Sequence, residues 1–110
     1  MPSLSTHVLD TSLGHPAAGI PVRLERNGEV LAQAVTDRDG RVGNFELSQG
    51  GGTLAPGSYS LVFMTAEYFA ARRVEAFYLE IVVRFIIRDD AHYHVPVLLS
   101  PFGYSTYRGS

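Results

Sequence analysis

The sequence contains no cysteine, so neither a disulfide framework nor a thiolate metal site is available to it. An excess of charge of either sign is also absent. Nine basic and 11 acidic side chains give a formal net charge of -2, which provides no electrostatic basis for binding nucleic acid or an anionic membrane. No apolar run approaches the roughly 20 residues of a membrane-spanning helix. The start, MPSLSTHVLD, lacks the basic and apolar regions of a signal peptide, so we expect a cytoplasmic protein.

Several common catalytic and nucleotide-binding motifs are missing as well. The chain has no G-x-S-x-G, no P-loop and no G-x-G-x-x-G. The glycine-rich run GGGT at 50–53 is not followed directly by a helix that would present amide groups to phosphate. We therefore interpret it as a flexible connection. The acidic residues are scattered and form no recognisable catalytic pair.

The pattern that is present is a period of two. With 110 residues, 45% of them hydrophobic, the chain can form one domain with a real core. Runs such as PVRLER, YSLVFM and EIVVRFII alternate between apolar and polar side chains, and glycine-, proline- and aspartate-rich breakers separate them. Asn27 and Gly28 lie between two such runs and predict a hairpin, because both residues tolerate positive φ. About seven or eight strands of this kind predict an all-β sandwich.

Only the stretch TAEYFAARR is predicted to be helical. Thr65 is a candidate N-cap, Glu67 lies in the first turn, and Arg72 and Arg73 lie near the end, an order of charges that suits the helix dipole. A helix this short is not stable without tertiary support.

The run YHVPVLL near the end of the chain is apolar on both faces. Val95 and Val97 belong to one face, and Pro96 and Leu98 to the other. One face of a strand in an antiparallel sandwich normally contacts water, so we expect a partner subunit to cover the outer face. Pro96 cannot donate a ladder hydrogen bond, which predicts either an interruption here or an edge strand. This combination favours a homo-oligomer.

Histidine, which exchanges protons near neutral pH, occurs four times. His15 lies in the turn GHPAAG and is interpreted as a solvated loop residue. His7 belongs to the first predicted strand, where a structural role is the simplest interpretation. His92 and His94 are two residues apart and share a strand face, a spacing that could hold zinc if a third ligand were supplied.

Arg41 follows the tight turn DRDG and begins an extended stretch, where a surface arginine is the simplest interpretation. The chain ends with Tyr107, Arg108, Gly109 and Ser110, which combine an aromatic ring, a cation, a hydroxyl and the terminal carboxylate. Aromatic side chains gain nothing from burial in a disordered tail. An ordered, functional terminus and an ordinary surface tail are the two interpretations that the residues allow.

The segments LSTHVLDTSLGHPAAGIPVRL and HYHVPVLLSPFGYSTYRGS, with TDRDGR, LAPGSYSLVF, AEYF and FYLE between them, resemble the 5-hydroxyisourate hydrolases of the transthyretin-related family. The resemblance covers essentially the whole chain. The terminal YRGS is its most specific element, because it separates the hydrolases from the hormone carrier transthyretin. The implied fold is a sandwich of two four-stranded antiparallel sheets with one short helix. The implied assembly is a homotetramer, a dimer of dimers, with active sites in the channel between the dimers.

The resemblance also implies an activity: hydrolytic opening of the six-membered ring of 5-hydroxyisourate in urate and purine breakdown, without metal or cofactor. Its catalytic residues correspond to His7, Arg41, His94 and Ser110. Its substrate-binding residues correspond to Arg41, Tyr107, Arg108, Gly109 and Ser110. His92 is not among the catalytic histidines of the family, so we expect a supporting role for it.

Two departures from the family pattern lie away from these residues. Leu79 stands where proline is common, and FIIR is more apolar than the end of that strand usually is. Three other functions are weighed against hydrolysis: a transthyretin-like carrier that binds a small ligand without catalysis, a purely structural sandwich, and a zinc hydrolase.

Overall fold

The structure, a computed structural model, describes residues 2–47 and 54–110. These residues contain nine strands and one helix. The strands are β1 (Ser3–Asp10), β2 (His15–Pro16), β3 (Pro21–Arg26), β4 (Glu29–Val35), β5 (Arg41–Val42), β6 (Gly57–Phe63), β7 (Ile81–Ile87), β8 (His92–Ser100) and β9 (Gly103–Thr106), and the helix is α1 (Ala66–Ala71). The glycine-rich connection predicted at 50–53 lies outside the described residues.

The strands form two sheets whose buried side chains make one core. The first sheet has the order β2-β1-β8-β9, with β5 also paired to β1, and the second has the order β4-β3-β6-β7. The predicted two-sheet sandwich with one short helix is confirmed. In detail, the described part of the first sheet has five strands, because the two-residue strands β2 and β5 both pair with β1. The resemblance implied two antiparallel sheets, but the pairing of β1 with β8 in the first sheet is parallel.

The core follows the predicted alternation. Val22 and Leu24 of β3 are fully buried, whereas Arg23 between them is only partly covered. Burying a large apolar side chain contributes about 1.5–3 kcal/mol, so these alternating positions fix which face of each strand points inward. The same pattern buries the predicted inner residues of β6, β7 and β8, which include Tyr59, Leu61, Phe63, Ile81, Val83, Ile87, Val95, Val97 and Leu99.

The predicted hairpin between β3 and β4 is confirmed. Asn27 and Gly28 have φ values of 53° and 79°, respectively. Positive φ at both central residues is the type I′ geometry, whose twist matches that of the flanking strands.

Helix α1 begins after Thr65, as predicted, but the Thr65 side chain makes no capping hydrogen bond. Arg72 follows the helix, and its guanidinium carbon lies 3.8 Å from the centre of the Tyr68 ring. The Tyr68 hydroxyl donates to the buried carboxylate of Asp10 at 2.7 Å, which ties the helix to the end of β1. Across residues 2–47 and 54–110, no helix is long and apolar enough to span a membrane.

Strand β8 lies inside the first sheet, between β1 and β9, so the edge position considered for it is wrong. The predicted interruption at Pro96 is confirmed. The ladder between β8 and β9 ends at the pair Val97 and Thr106, and pairing resumes in the same register at His94 and Gly109. Pro96, which has no N–H, lies in this gap, and its carbonyl accepts a hydrogen bond from Thr106 Oγ1 at 2.7 Å.

Candidate active site

The pairing of β1 with β8 places three histidines on the outer face of the first sheet. Ser5 of β1 lies directly opposite His94 of β8. Opposed residues point to the same face of a sheet, as do residues two apart on one strand, which adds His7 and His92 to this face. Thr6, between Ser5 and His7, points inward and is fully buried. We call this outer surface the histidine face.

Strand β5 adds Arg41 to the histidine face, because Arg41 is paired with His7. The Nε2 atom of His7 lies 2.8 Å from the backbone carbonyl oxygen of Asp39. A carbonyl oxygen only accepts, so Nε2 carries the hydrogen and donates it. The neutral His7 ring therefore has its lone pair on Nδ1. The turn that precedes Arg41 therefore also fixes the tautomer of His7.

The DRDG turn positions Arg41 through its own hydrogen bonds. The Asp37 carboxylate accepts from the backbone amides of Asp39 at 2.9 Å and Arg41 at 3.0 Å. Gly40 has a φ of 75°, and a Cβ there would lie 2.3 Å from the carbonyl oxygen of Val8. Only glycine fits such a position without displacing the strand. Arg41 therefore begins an extended stretch, as predicted, and its backbone is tightly held.

The last residues of the chain lie beside His94. The Gly109 amide donates to the His94 carbonyl at 2.8 Å. A Cβ at Gly109 would lie 2.6 Å from His94 Cδ2 and 3.3 Å from Pro96 Cγ, so the absence of a side chain allows this close approach. The Arg108 guanidinium carbon lies 4.5 Å from the centre of the Tyr93 ring, a cation–π contact. The terminus therefore contacts β8, and its functional role stays a prediction.

The structure thus brings most of the predicted site residues together. His7, Arg41 and His94 share the histidine face, and Gly109 closes it on the side of β8 away from β1. Tyr107 and Ser110 have exposed side chains on either side of Arg108 and Gly109. The catalytic and binding roles implied by the resemblance remain predictions for all seven residues.

The surroundings of His94 change its acid–base behaviour. Burial lowers its pKa below the usual 6.5, and electrostatic interactions with Arg41, His92 and His7 lower this pKa further, while a hydrogen bond at Ser5 raises it. The ring is therefore neutral near pH 7. Its Nδ1 atom lies 2.7 Å from Ser5 Oγ, so Nε2 is the nitrogen available for chemistry.

Two serines on the histidine face were missed by sequence reasoning. Ser5 Oγ lies 2.8 Å from His92 Nε2 as well as close to His94, and Ser3 Oγ contacts His92 Nδ1. The signal was present in SLSTH, because Ser3 and Ser5 precede His7 at intervals of two and must share its face. What the sequence could not supply was the parallel partner strand that carries the other two histidines.

The structure also bears on His15 and on the spacing that suggested zinc. His15 is exposed, as predicted, although it belongs to the short strand β2 rather than to a loop. Within the part of the chain that the structure describes, no group of three or more histidine, aspartate or glutamate side chains is placed to hold a metal ion. His92 and His94 instead meet serine hydroxyls.

Comparison with known proteins identifies the family. Residues 4–109 match the sequence profile of the HIUase/Transthyretin family. The chain belongs to this family. One of its relatives, 5-hydroxyisourate hydrolase 2 of Rhizobium meliloti (strain 1021), is 51% identical over 116 residues, covering 97% of this chain and 95% of that protein.

Solved structures of the family include both of its branches. The structure of Klebsiella pneumoniae 5-hydroxyisourate hydrolase superposes with a TM-score of 0.89 at 42% identity, covering 100% of this chain and 94% of that one. Sea bream transthyretin in complex with thyroxine superposes with a TM-score of 0.84 at 27% identity, covering 96% and 93% of the two chains. The hydrolase and the transthyretin therefore share the fold of this chain.

Replacing Arg41 by glutamine is expected to raise the pKa of His94 toward 6.5, because one of the positive charges that lower this pKa is removed. Titration of the His94 ring by NMR measures the change. The matched control is Arg38→Gln, which removes an exposed arginine from the same turn. An unchanged His94 pKa in Arg41→Gln would contradict the electrostatic coupling.

The same pKa shift affects stability. The folded protein holds His94 neutral, so below pH 6.5 the unfolded chain binds the proton more readily than the folded one. The free energy of unfolding should therefore decrease as the pH falls from 6.5 through the lowered pKa, and should be unaffected by His94 above that range. In Arg41→Gln this decrease in the free energy of unfolding at low pH should be smaller.

Proposed function

We propose that this chain hydrolyses 5-hydroxyisourate and opens its six-membered ring, a step in the breakdown of urate. The observation that carries the proposal is the histidine face, where two histidines, an arginine and the YRGS terminus lie together. Relatives that carry the hydrolase name are 44–51% identical to this chain over nearly its whole length, which supports the same assignment.

The proposed reaction needs two proton transfers. The hydroxyl of water bonds to a ring carbonyl carbon, the bond from this carbon to the ring nitrogen breaks, and the nitrogen takes up a proton. His7 and His94 share the two transfers, one accepting the proton of water and the other supplying the leaving nitrogen. Both have a suitable nitrogen, Nδ1 in His7 and Nε2 in His94, because their other nitrogens are hydrogen-bonded. The scheme uses no metal or cofactor.

In this proposal Arg41 binds and polarises the electron-rich ring. A guanidinium is planar, permanently charged and offers paired donors, which suits an acidic heterocycle. Ser110 positions a ring edge or the attacking water through its hydroxyl or its terminal carboxylate. Tyr107 and Arg108 shape the terminus, and Gly109 holds it against His94.

The proposed assembly is a homotetramer, a dimer of dimers, working in the cytoplasm. Large apolar side chains are exposed along the outermost strands of the two sheets, such as Val82 and Ile86 of β7 at 48% and 44%, and Tyr104 of β9 at 43%. Outermost strands with apolar side chains are prone to pair with another chain. Native mass spectrometry tests the tetramer, and cell fractionation tests the location.

The products formed in labelled water test the function. Freshly generated 5-hydroxyisourate is mixed with the protein in H₂¹⁸O for a time in which little of it opens spontaneously. A hydrolase converts the substrate to a species that is heavier by one water, with a single labelled oxygen in the new carboxylate. A non-catalytic carrier of the transthyretin type would leave the substrate at the level of the protein-free sample.

Gly109→Ala is expected to lower kcat/KM by roughly 10-fold or more, because the new methyl group would displace the His94 ring from a catalytic position. The clash is predicted from the 2.6 Å separation between a Cβ at this position and His94 Cδ2. Steady-state kinetics measures the effect. The matched control is Gly103→Ala in the same terminal segment, where the nearest atom, Ser100 Oγ, would lie at an ordinary 3.7 Å. Equal kinetics for the two variants would contradict the role given to the terminus.

A further inference from the structure

Ser5 is a hydrogen-bonded bridge between two histidines. Its Oγ lies 2.7 Å from His94 Nδ1 and 2.8 Å from His92 Nε2. The other nitrogen of His92, Nδ1, lies 2.5 Å from Ser3 Oγ. Four side chains therefore form a continuous row of hydrogen bonds, from the half-buried His94, through the buried Ser5, to the exposed His92.

The hydrogen bonds of this row can be donated in only two directions, inward toward His94 or outward toward Ser3. A serine hydroxyl has one hydrogen, so Ser5 donates to one histidine and accepts from the other, and a neutral imidazole has one N–H. In the inward direction Ser3 donates to His92, His92 donates through Nε2 to Ser5, and Ser5 donates to His94 Nδ1. His94 then carries its hydrogen on Nε2. In the outward direction every donor and acceptor is exchanged, and His94 Nε2 has the lone pair.

We propose that Ser5 and His92 form a proton relay that connects His94 to solvent, and that reversal of the row converts His94 between an acid and a base. His92 and Ser5 are positioning residues in this scheme, because they act through His94. The inference rests on the proposed hydrolase function and deepens it, by giving a role to a histidine outside the implied catalytic set.

The proton count balances in both directions. When His94 Nε2–H passes to the leaving nitrogen, the Ser5 hydrogen moves to His94 Nδ1 and the His92 Nε2 hydrogen moves to Ser5 Oγ. His92 Nδ1 then takes the Ser3 hydrogen, and a solvent proton replaces it. When His94 instead accepts a proton from water, each transfer runs the opposite way and one proton leaves to solvent.

The charges around His94 explain why a relay is needed. The charged or titratable groups that act on it are Arg41 of β5, His92 of β8 and His7 of β1. The terminus packs against it through Gly109, with Arg108 next in the sequence. The permanent charge of Arg41 favours a neutral ring at His94. A neutral imidazole that loses its only N–H becomes an anion unless a second proton arrives at the other nitrogen, which is what Ser5 supplies.

A variant of His92 separates a relay from structural support. In His92→Gln the amide can still hydrogen-bond to Ser5, but it cannot take up and release a proton. The relay predicts that kcat falls roughly 10-fold or more with KM nearly unchanged, and that added imidazole buffer restores kcat in proportion to its concentration. Ser5→Ala should lose kcat similarly, Ser5→Thr should retain it in part, and the exposed Ser58→Ala is the control.

The wild-type protein provides a measurement that needs no variant. Nitrogen-15 NMR of the neutral rings should find His92 and His94 in matching tautomers, both Nε2–H or both Nδ1–H, because the row has a single direction. Opposite tautomers would overturn the relay. The relay would also be overturned if His92→Gln, without added buffer, had the same kcat as a wild-type protein that itself opens the ring. A wild-type protein that does not accelerate ring opening would instead overturn the proposed function.

Discussion

His94→Asn is expected to lower kcat/KM for ring opening by about 10²–10⁴-fold, the contribution typical of a positioned acid or base. Asparagine retains a hydrogen-bonding group near Ser5 but cannot exchange a proton at neutral pH. Since His94 lies on the outer face of the first sheet, its replacement leaves the core strands in contact. Steady-state kinetics measures the loss, and thermal unfolding and native mass spectrometry check that fold and assembly are retained.

The matched control for this variant is His15→Asn. His15 is exposed on β2, and its Nδ1 hydrogen-bonds the adjacent Pro16 carbonyl rather than any group of the histidine face. Its replacement should leave kcat/KM within about twofold of the wild-type value, as is usual for a surface change away from the site. His7→Asn should reproduce the loss seen for His94, because the two histidines share one pair of proton transfers. Near-normal turnover in His94→Asn would refute the scheme.

Deleting the last four residues, 107–110, is expected to remove activity while the sandwich stays folded. The deletion removes Ser110, the Arg108 side chain and the Gly109 contact with His94, all of which the proposed site uses. The stability loss should be only about 1–2.5 kcal/mol, the sum of one backbone hydrogen bond and one cation–π contact. The β8–β9 ladder ends before the deletion, at Thr106.

Separate measurements report the effect of this deletion on the fold and its effect on activity. Far-ultraviolet circular dichroism and thermal unfolding should report an intact sandwich, whereas kcat/KM should fall by at least about 10²-fold. Arg108→Gln serves as the control for stability, because it removes the cation–π contact with Tyr93 and leaves the Gly109 backbone in place. A truncated protein that opens the ring at the wild-type rate would show that the terminus is dispensable.

The alternation of side chains predicted most of the sandwich, because burial acts on each strand locally. The alternation of apolar and polar side chains correctly predicted the inward-pointing residues of β3 and β6, such as Val22, Leu24, Leu61 and Phe63. Strands β2 and β5 could not be predicted, since two residues carry no periodicity. They form only because β1 offers hydrogen bonds on the side away from β8.

The residue types of the site could be predicted from the sequence, but the hydrogen bonds between its side chains could not. The family resemblance named His7, Arg41 and His94, and strand periodicity placed His92 beside His94. The bridging role of Ser5 depends on the parallel register that sets it opposite His94, and no local signal in SLSTH specifies that partner. Similarly, Pro96 indicated an interruption, but only the sheet order shows that β8 is an inner strand.

The most direct test of the account is the decay of 5-hydroxyisourate absorbance, followed with wild-type protein, with His94→Asn and without protein. We expect the wild-type protein to accelerate the decay strongly over the spontaneous rate, and His94→Asn to leave it close to that rate. Decay at the spontaneous rate with the wild-type protein, or equal acceleration by both proteins, would contradict catalysis at the histidine face.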